Sequence, residues 1–264
     1  MSATKTSNTK TPETLVAFDD VSAGYDGIPV LRGLDGAVKR GDLLALLGAN
    51  GAGKSTLFKC ITGEVRPFSG TVRLHDLPRA KIAYLPQRSD IDPGFPISTF
   101  DAVAMGLWRK IGAFQGLKRD AEAEVWAALE TVGVAGQAER RLGVLSGGQF
   151  QRAMFAQLML QDADLILLDE PFQAVDLETA DTLISLIAKW HDEGRTVIAA
   201  LHDAALVRDR FPKTLILARE TIAWGPTSEV LTSANLAKSG EVTAAWQDAE
   251  LGLSGERARE RVSV

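Results

Sequence analysis

The stretch DLLALL (residues 42–47) running into GANGAGKS (residues 48–55) decides the fold. Its first half is a short apolar run of the kind buried in a parallel sheet, its second half fits GxxxxGK[ST], and residues 55–62 have helical composition. Strand, glycine-rich loop and helix in that order let backbone N–H groups cradle phosphates at a helix N-terminus. Gly48, Asn50, Gly51, Ala52 and Gly53 form the loop, where side chains at Gly51 or Gly53 would obstruct the phosphates, and Thr56, in the first helical turn, is read with them as nucleotide-binding. Lys54 would place a point charge at the β and γ phosphates of ATP, and the Ser55 hydroxyl suits Mg²⁺, a hard cation that takes oxygen ligands.

Similar apolar runs recur at residues 81–85, 165–168 and 196–201, with helical stretches between, the pattern of a parallel sheet covered on both faces. The fold class is therefore α/β. Residues 13–38 alternate short apolar stretches with Gly/Asp turns and predict a small, mostly antiparallel sheet. Residues 101–134 show helical spacing around Val103, Leu107, Val125, Trp126 and Leu129 with no strand signal, and predict an inserted helical subdomain spanning about 88–145. After Asp176, the spacing of Leu183, Leu186, Ile187 and Trp190 predicts a helix that covers the sheet. Residues 1–12 and 251–264 are polar or charged and read as disordered tails around one domain, 13–250.

With 264 residues, 45% hydrophobic and 24% charged, the chain has the composition of a folded soluble domain. Lys+Arg number 29 against 34 Asp+Glu, so no overall positive field favours nucleic acid. The N-terminus lacks a secretory apolar stretch and no run approaches ~18 apolar residues, which predicts a soluble, cytosolic chain. Cys60 is the single cysteine and reads as a small apolar helix position.

Two further strings carry chemistry. LILLDE (residues 165–170) ends an apolar strand in Asp169 and Glu170, where a cation would compensate the buried charge. Asp169 would support Mg²⁺, and Glu170 sits where a general base could polarise a water attacking the γ phosphate. Ser146, Gly147, Gly148 and Gln149, in LSGGQ, precede a run of helical composition and offer a second anion site at a helix N-terminus.

With these strings in order, residues 14–235 resemble the ATP-binding cassette (ABC) ATPases: a phosphate-loop core of parallel sheet and helices, a small antiparallel subdomain and a helical insert. The resemblance implies a head-to-tail homodimer in which the phosphate loop of one subunit and LSGGQ of the other share each ATP. It also implies that Tyr25, in GYDG, stacks on adenine and that Gln87 reaches Mg²⁺ or the attacking water. On the same grounds His202 contacts the γ phosphate and the base, and Asp176 belongs to a loop crossing the dimer interface. Gln173 stands where Ser or Gly is commoner, and Gln157 where Arg is frequent; neither departure removes a catalytic group.

A chain without a membrane span needs a separate integral membrane permease to translocate anything, which places it peripherally on the cytoplasmic face of the inner membrane. The stretch 85–108, with Pro171, Phe172, Val175 and Asp176, is most similar to ATPases of zinc and manganese importers, zinc first. An extracytoplasmic metal-binding protein is then an indirect partner, and residues 90–108 are expected to receive a short cytoplasmic helix of the permease. The alternatives are importers of iron-siderophore, haem or cobalamin, and a non-transport ABC ATPase. DNA-repair members need a long coiled-coil insert for which residues 54–146 leave no room, translation members need two cassettes, and a simple phosphate-loop kinase would lack LSGGQ. His75, His191 and His202 do not cluster, so no ligand set for transported metal is read in this chain. Trp108 is expected at a contact surface, and Trp126, Trp224 and Trp246 as packing residues.

Overall fold

The computed structural model describes residues 13–88, 94–112, 116–173 and 175–240. The expected tails, 1–12 and 251–264, lie outside these residues, as do Trp246 and positions 90–93 of the expected permease contact.

The antiparallel sheet has the order β2-β1-β4, built from β1 (Thr14–Tyr25), β2 (Ile28–Lys39) and β4 (Ser69–Leu74). Tyr25 pairs with Ile28 across the two-residue turn Asp26-Gly27, whose φ angles of 50° and 77° are both positive. Asp-Gly tolerates that geometry, and its twist matches the flanking strands, so the hairpin follows from two residues.

The larger sheet contains β3 (Leu43–Leu47), β5 (Ile82–Leu85), β6 (Leu165–Asp169), β7 (Thr196–Leu201), β8 (Lys213–Leu217) and β9 (Thr221–Pro226). Its order is β5-β6-β7-β3-β8-β9; β5, β6, β7, β3 and β8 run parallel and β9 is antiparallel at the edge. The β8–β9 hairpin carries no signal singled out in the sequence; the three expected apolar runs are β5, β6 and β7.

β3 shows why the middle strands are apolar on both faces. Leu43, Ala45 and Leu47 enter one core, and Leu44 and Leu46 the other. The first core lies under α2 (Thr99–Ala104), α4 (Arg119–Thr131), α5 (Gly147–Leu160) and α6 (Leu177–Asp192). The second is closed by α1 (Lys54–Thr62) and the antiparallel sheet. The chain also forms the short helices α3 (Trp108–Ile111), α7 (Ala204–Arg210) and α8 (Thr227–Val230), and residues 233–240 are helical as well.

Val103, Leu107, Val125 and Leu129 are buried as their spacing predicts. Trp126 packs its ring 5.3 Å from Phe100 yet stays exposed on the other side, because Val125 and Leu129 define the inward face of α4. Trp190 stacks on Phe155 at 5.6 Å and ties α6 to α5, while Trp224 leans on Phe18.

Parallel register sets the functional edge. Leu47 pairs with Leu201, Leu85 with Leu168 and Asp169 with Ala200, so Gly48, Gln87, Glu170 and His202 all leave the sheet at its carboxyl edge.

Candidate functional site

Each loop glycine meets a different demand. A Cβ at Gly48 would stand 2.3 Å from the Leu217 carbonyl oxygen, so the chain can pass β8 only without one. Gly53 caps α1 with φ 101° and Gly51 has φ 80°, both in the left-handed region. No protein atom lies within 4 Å of a Cβ at Gly51, so within the chain itself the demand at this residue is the backbone conformation. Behind the loop, the Arg219 N–H donates to Ala52 O at 2.8 Å and the Arg32 N–H to Arg219 O at 2.6 Å, joining loop, β8–β9 turn and β2.

Lys54 is only 5% exposed, and its Nζ donates to Gly48 O at 2.7 Å and Ala49 O at 3.2 Å. Burial lowers its pKa, and the negative charges of Glu170 and Asp169 oppose that shift. The ammonium thus faces its own loop carbonyls inside a cavity of about 300 Å³ lined by Val30, residues 49–56, Gln87 and Glu170. α1 carries no acidic residue in its first turn, leaving the N-terminal dipole free for an anion.

Asp169 is buried at the end of β6, with the Tyr84 hydroxyl 3.5 Å from its Oδ2. Glu170 follows with φ 51°, its N–H donating to Ala200 O at 3.2 Å. That turn aims the carboxylate into the cavity mouth, where Gln87 Nε2 donates to Oε2 at 2.8 Å and His202 Nε2 lies 2.6 Å from Oε1. A carboxylate held at both oxygens, next to a buried ammonium, is equipped to orient a water and accept its proton. For a hard divalent cation the Ser55 hydroxyl, the Gln87 amide oxygen and the Asp169 carboxylate are suitable donors. No group of three or more His, Cys, Asp or Glu gathers among the described residues.

Ser146 and Gln149 stand apart from this cavity lining and form a capping box on α5: Gln149 N donates to Ser146 Oγ at 3.3 Å and Ser146 N to Gln149 Oε1 at 3.2 Å. Gly148 lies against Asp176, the N-cap of α6. Gly147 is the first residue of α5. Within one chain there are thus two clusters, one around Lys54 and Glu170 and one around Ser146 and Asp176. Tyr25 is exposed at the hairpin end and outside the cavity lining. His191 lies 3.9 Å from Asp192, His75 is exposed and Cys60 is buried, so none of the three joins the site.

Val30, Arg219 and the Leu217 carbonyl were not legible in the sequence. Val30 is an ordinary strand residue, and the other two act through backbone groups, which leave no trace in residue type.

The glycine-rich loop on a parallel sheet, its buried lysine and the paired carboxylates define a nucleoside-triphosphate hydrolase of the phosphate-loop class. Residues 31–173 match the family model described as ABC transporter. The chain belongs to the ABC transporter family, as its ATP-hydrolysing domain. It is 40% identical over 231 residues to the manganese transport system ATP-binding protein MntB of Bacillus subtilis (strain 168), covering 85% of this chain and 91% of that one. It is 38% identical to the zinc transport system ATP-binding protein TroB of Treponema pallidum (strain Nichols), covering 82% and 83%. A solved metal-chelate type ABC transporter in an inward-facing conformation superimposes with a TM-score of 0.74 at 31% identity, covering 85% of this chain and 88% of that one.

Proposed function

We propose that the chain is the ATP-hydrolysing subunit of an importer that moves a divalent metal ion, zinc first and manganese second, through a separate membrane permease. One observation carries the reading: Lys54, Gln87, Glu170 and His202 converge on the carboxyl edge of the sheet in a chain whose relatives are named for manganese and zinc transport.

Triphosphate in the loop gives Lys54 an anionic partner in place of the Gly48 and Ala49 carbonyls. Ser55, Asp169 and Gln87 would hold Mg²⁺, which supplies charge neutralisation at the β and γ phosphates. Glu170 accepts the proton of the attacking water, with Gln87 and His202 fixing its two oxygens. Tyr25 stacks on adenine, a contact that needs only a π face. Ser146, Gly147, Gly148, Gln149 and Asp176 of a second copy close each site, so the working unit is a head-to-tail homodimer. The separation of the two clusters within one chain supports that arrangement.

The permease reads the cycle at a groove of about 730 Å³ between the Gln87 loop and the helical insert, lined by Pro86, Arg88, Phe95, Met105, Phe150 and Met154. Gln157 and Gln173 also line it. Among the described residues no helix is long and apolar enough to cross a membrane, which fits peripheral attachment on the cytoplasmic face. The test is reconstitution with the permease and its extracytoplasmic binding protein. ATP-dependent uptake of zinc or manganese, abolished by Glu170→Gln, is expected. Uptake of iron-siderophore, haem or cobalamin and of neither metal would contradict the assignment.

A further inference from the structure

A polar chain of contacts joins α5 to the loop that opens α6. Asp176 Oδ1 accepts from the Thr179 backbone N–H at 2.8 Å, as any N-cap would. The Thr179 hydroxyl goes further: it donates to Asp176 Oδ2 at 3.0 Å and accepts from Arg152 Nε at 3.1 Å and Nη2 at 2.7 Å. One donor and two acceptor sites are all a hydroxyl offers, so the direction of each bond is fixed. Thr179 is 1% exposed, which keeps water from competing. Gly148 completes the unit, since a Cβ there would stand 3.3 Å from Thr179 Oγ1 and 3.4 Å from Asp176 Oδ2. Capping α6 requires neither this hydroxyl nor a guanidinium from another helix. Arg152 rises from the second turn of the helix that Ser146 caps, and so links the same two segments that the two-chain reading sends to the partner's nucleotide.

We propose that Arg152 and Thr179 are positioning residues for the half-site at residues 146–149: they fix the spacing between the α5 N-terminus and Asp176, which meet the partner's nucleotide as one preformed unit. The inference rests on the two-chain reading. Thr179→Val keeps the shape of the side chain and deletes the hydroxyl, whereas Thr179→Ser keeps the hydroxyl.

Each substitution is placed in the Glu170→Gln chain, and dimerisation with ATP and Mg²⁺ is followed by light scattering. Binding of a fluorescent ATP analogue to dilute monomer is measured beside it. Thr179→Val is expected to weaken dimerisation about tenfold, the scale of a lost buried hydrogen bond, and to leave monomer nucleotide affinity unchanged. Thr179→Ser restores dimerisation to within about twofold. Arg152→Gln, at a half-buried position, gives the Thr179→Val pattern and serves if that variant fails to fold. Dimerisation equal to the parent in both Thr179→Val and Arg152→Gln overturns the inference alone. Joint loss of monomer nucleotide affinity and dimerisation marks a merely structural role and also overturns it. A Glu170→Gln parent that stays monomeric at saturating ATP and Mg²⁺ overturns the two-chain reading and the inference with it.

Discussion

His202 Nε2 lies 2.6 Å from Glu170 Oε1, and Gln87 occupies the other carboxylate oxygen at 2.8 Å. The residues that follow β7 and β5 therefore hold the residue that follows β6, and a change at any of the three is felt at the carboxylate.

Glu170→Gln should lower kcat by about 10²–10⁴-fold, the range for loss of a general base, with ATP affinity preserved. Gln87→Ala and His202→Ala should each reduce kcat less. Their combined effect should fall short of the product of the two, because both act through one carboxylate. Steady-state phosphate release by the four variants checks this; independent, multiplicative losses would contradict the shared role.

Gly48→Ala and Gly51→Ala should separate two reasons for a loop glycine. The first drives a methyl group to 2.3 Å from a backbone oxygen, and should cost at least about 2 kcal/mol of stability and eliminate ATP binding. The second meets open space and carries only the cost of φ 80°, about 1–2 kcal/mol. Denaturant midpoints with and without nucleotide give the comparison.

Burial pushes the Cys60 thiol up from 9.0 to about 11. Its stabilising contribution is complete below about pH 9, where folded and unfolded chains both hold the proton, and is lost as pH rises through about 11. Alkylation of the native chain at pH 8.5 should therefore be slow and should become fast in denaturant. Rapid labelling without unfolding would contradict the burial.

Phe95→Glu alters an exposed side chain of the proposed permease groove, and Trp108→Glu one at the end of the 90–108 stretch, outside the groove lining, Trp108 being 52% exposed. Both should leave the ATPase rate of the isolated chain within about twofold and reduce co-purification of the permease about tenfold or more. Undiminished co-purification would move the contact elsewhere.

Local chemistry made much of this fold readable. The run at residues 42–47 announces β3, the turn at Asp26-Gly27 announces the β1–β2 hairpin, and LSGGQ announces the N-terminus of α5, whereas its capping box between Ser146 and Gln149 emerges only in the structure. Glu170 is legible as a carboxylate closing an apolar strand, and Gln87 and His202 through the family resemblance; the contacts among the three depend on register across three strands, which spacing along the chain cannot express. The β8–β9 hairpin was silent because its contribution to the loop is a carbonyl and an N–H. The Arg152–Thr179–Asp176 chain was silent for another reason: each residue is ordinary on its own helix, and only the packing of α5 on α6 gives them a common task.

In the proposed dimer, triphosphate is clamped between two chains. ATP turnover per chain, measured over a dilution series of the purified subunit, distinguishes this arrangement from catalysis by a lone chain. Specific activity should fall in proportion to chain concentration below the dimerisation midpoint and level off above it. Specific activity that stays constant down to the lowest dilution, with the chain monomeric throughout, would contradict the two-chain clamp.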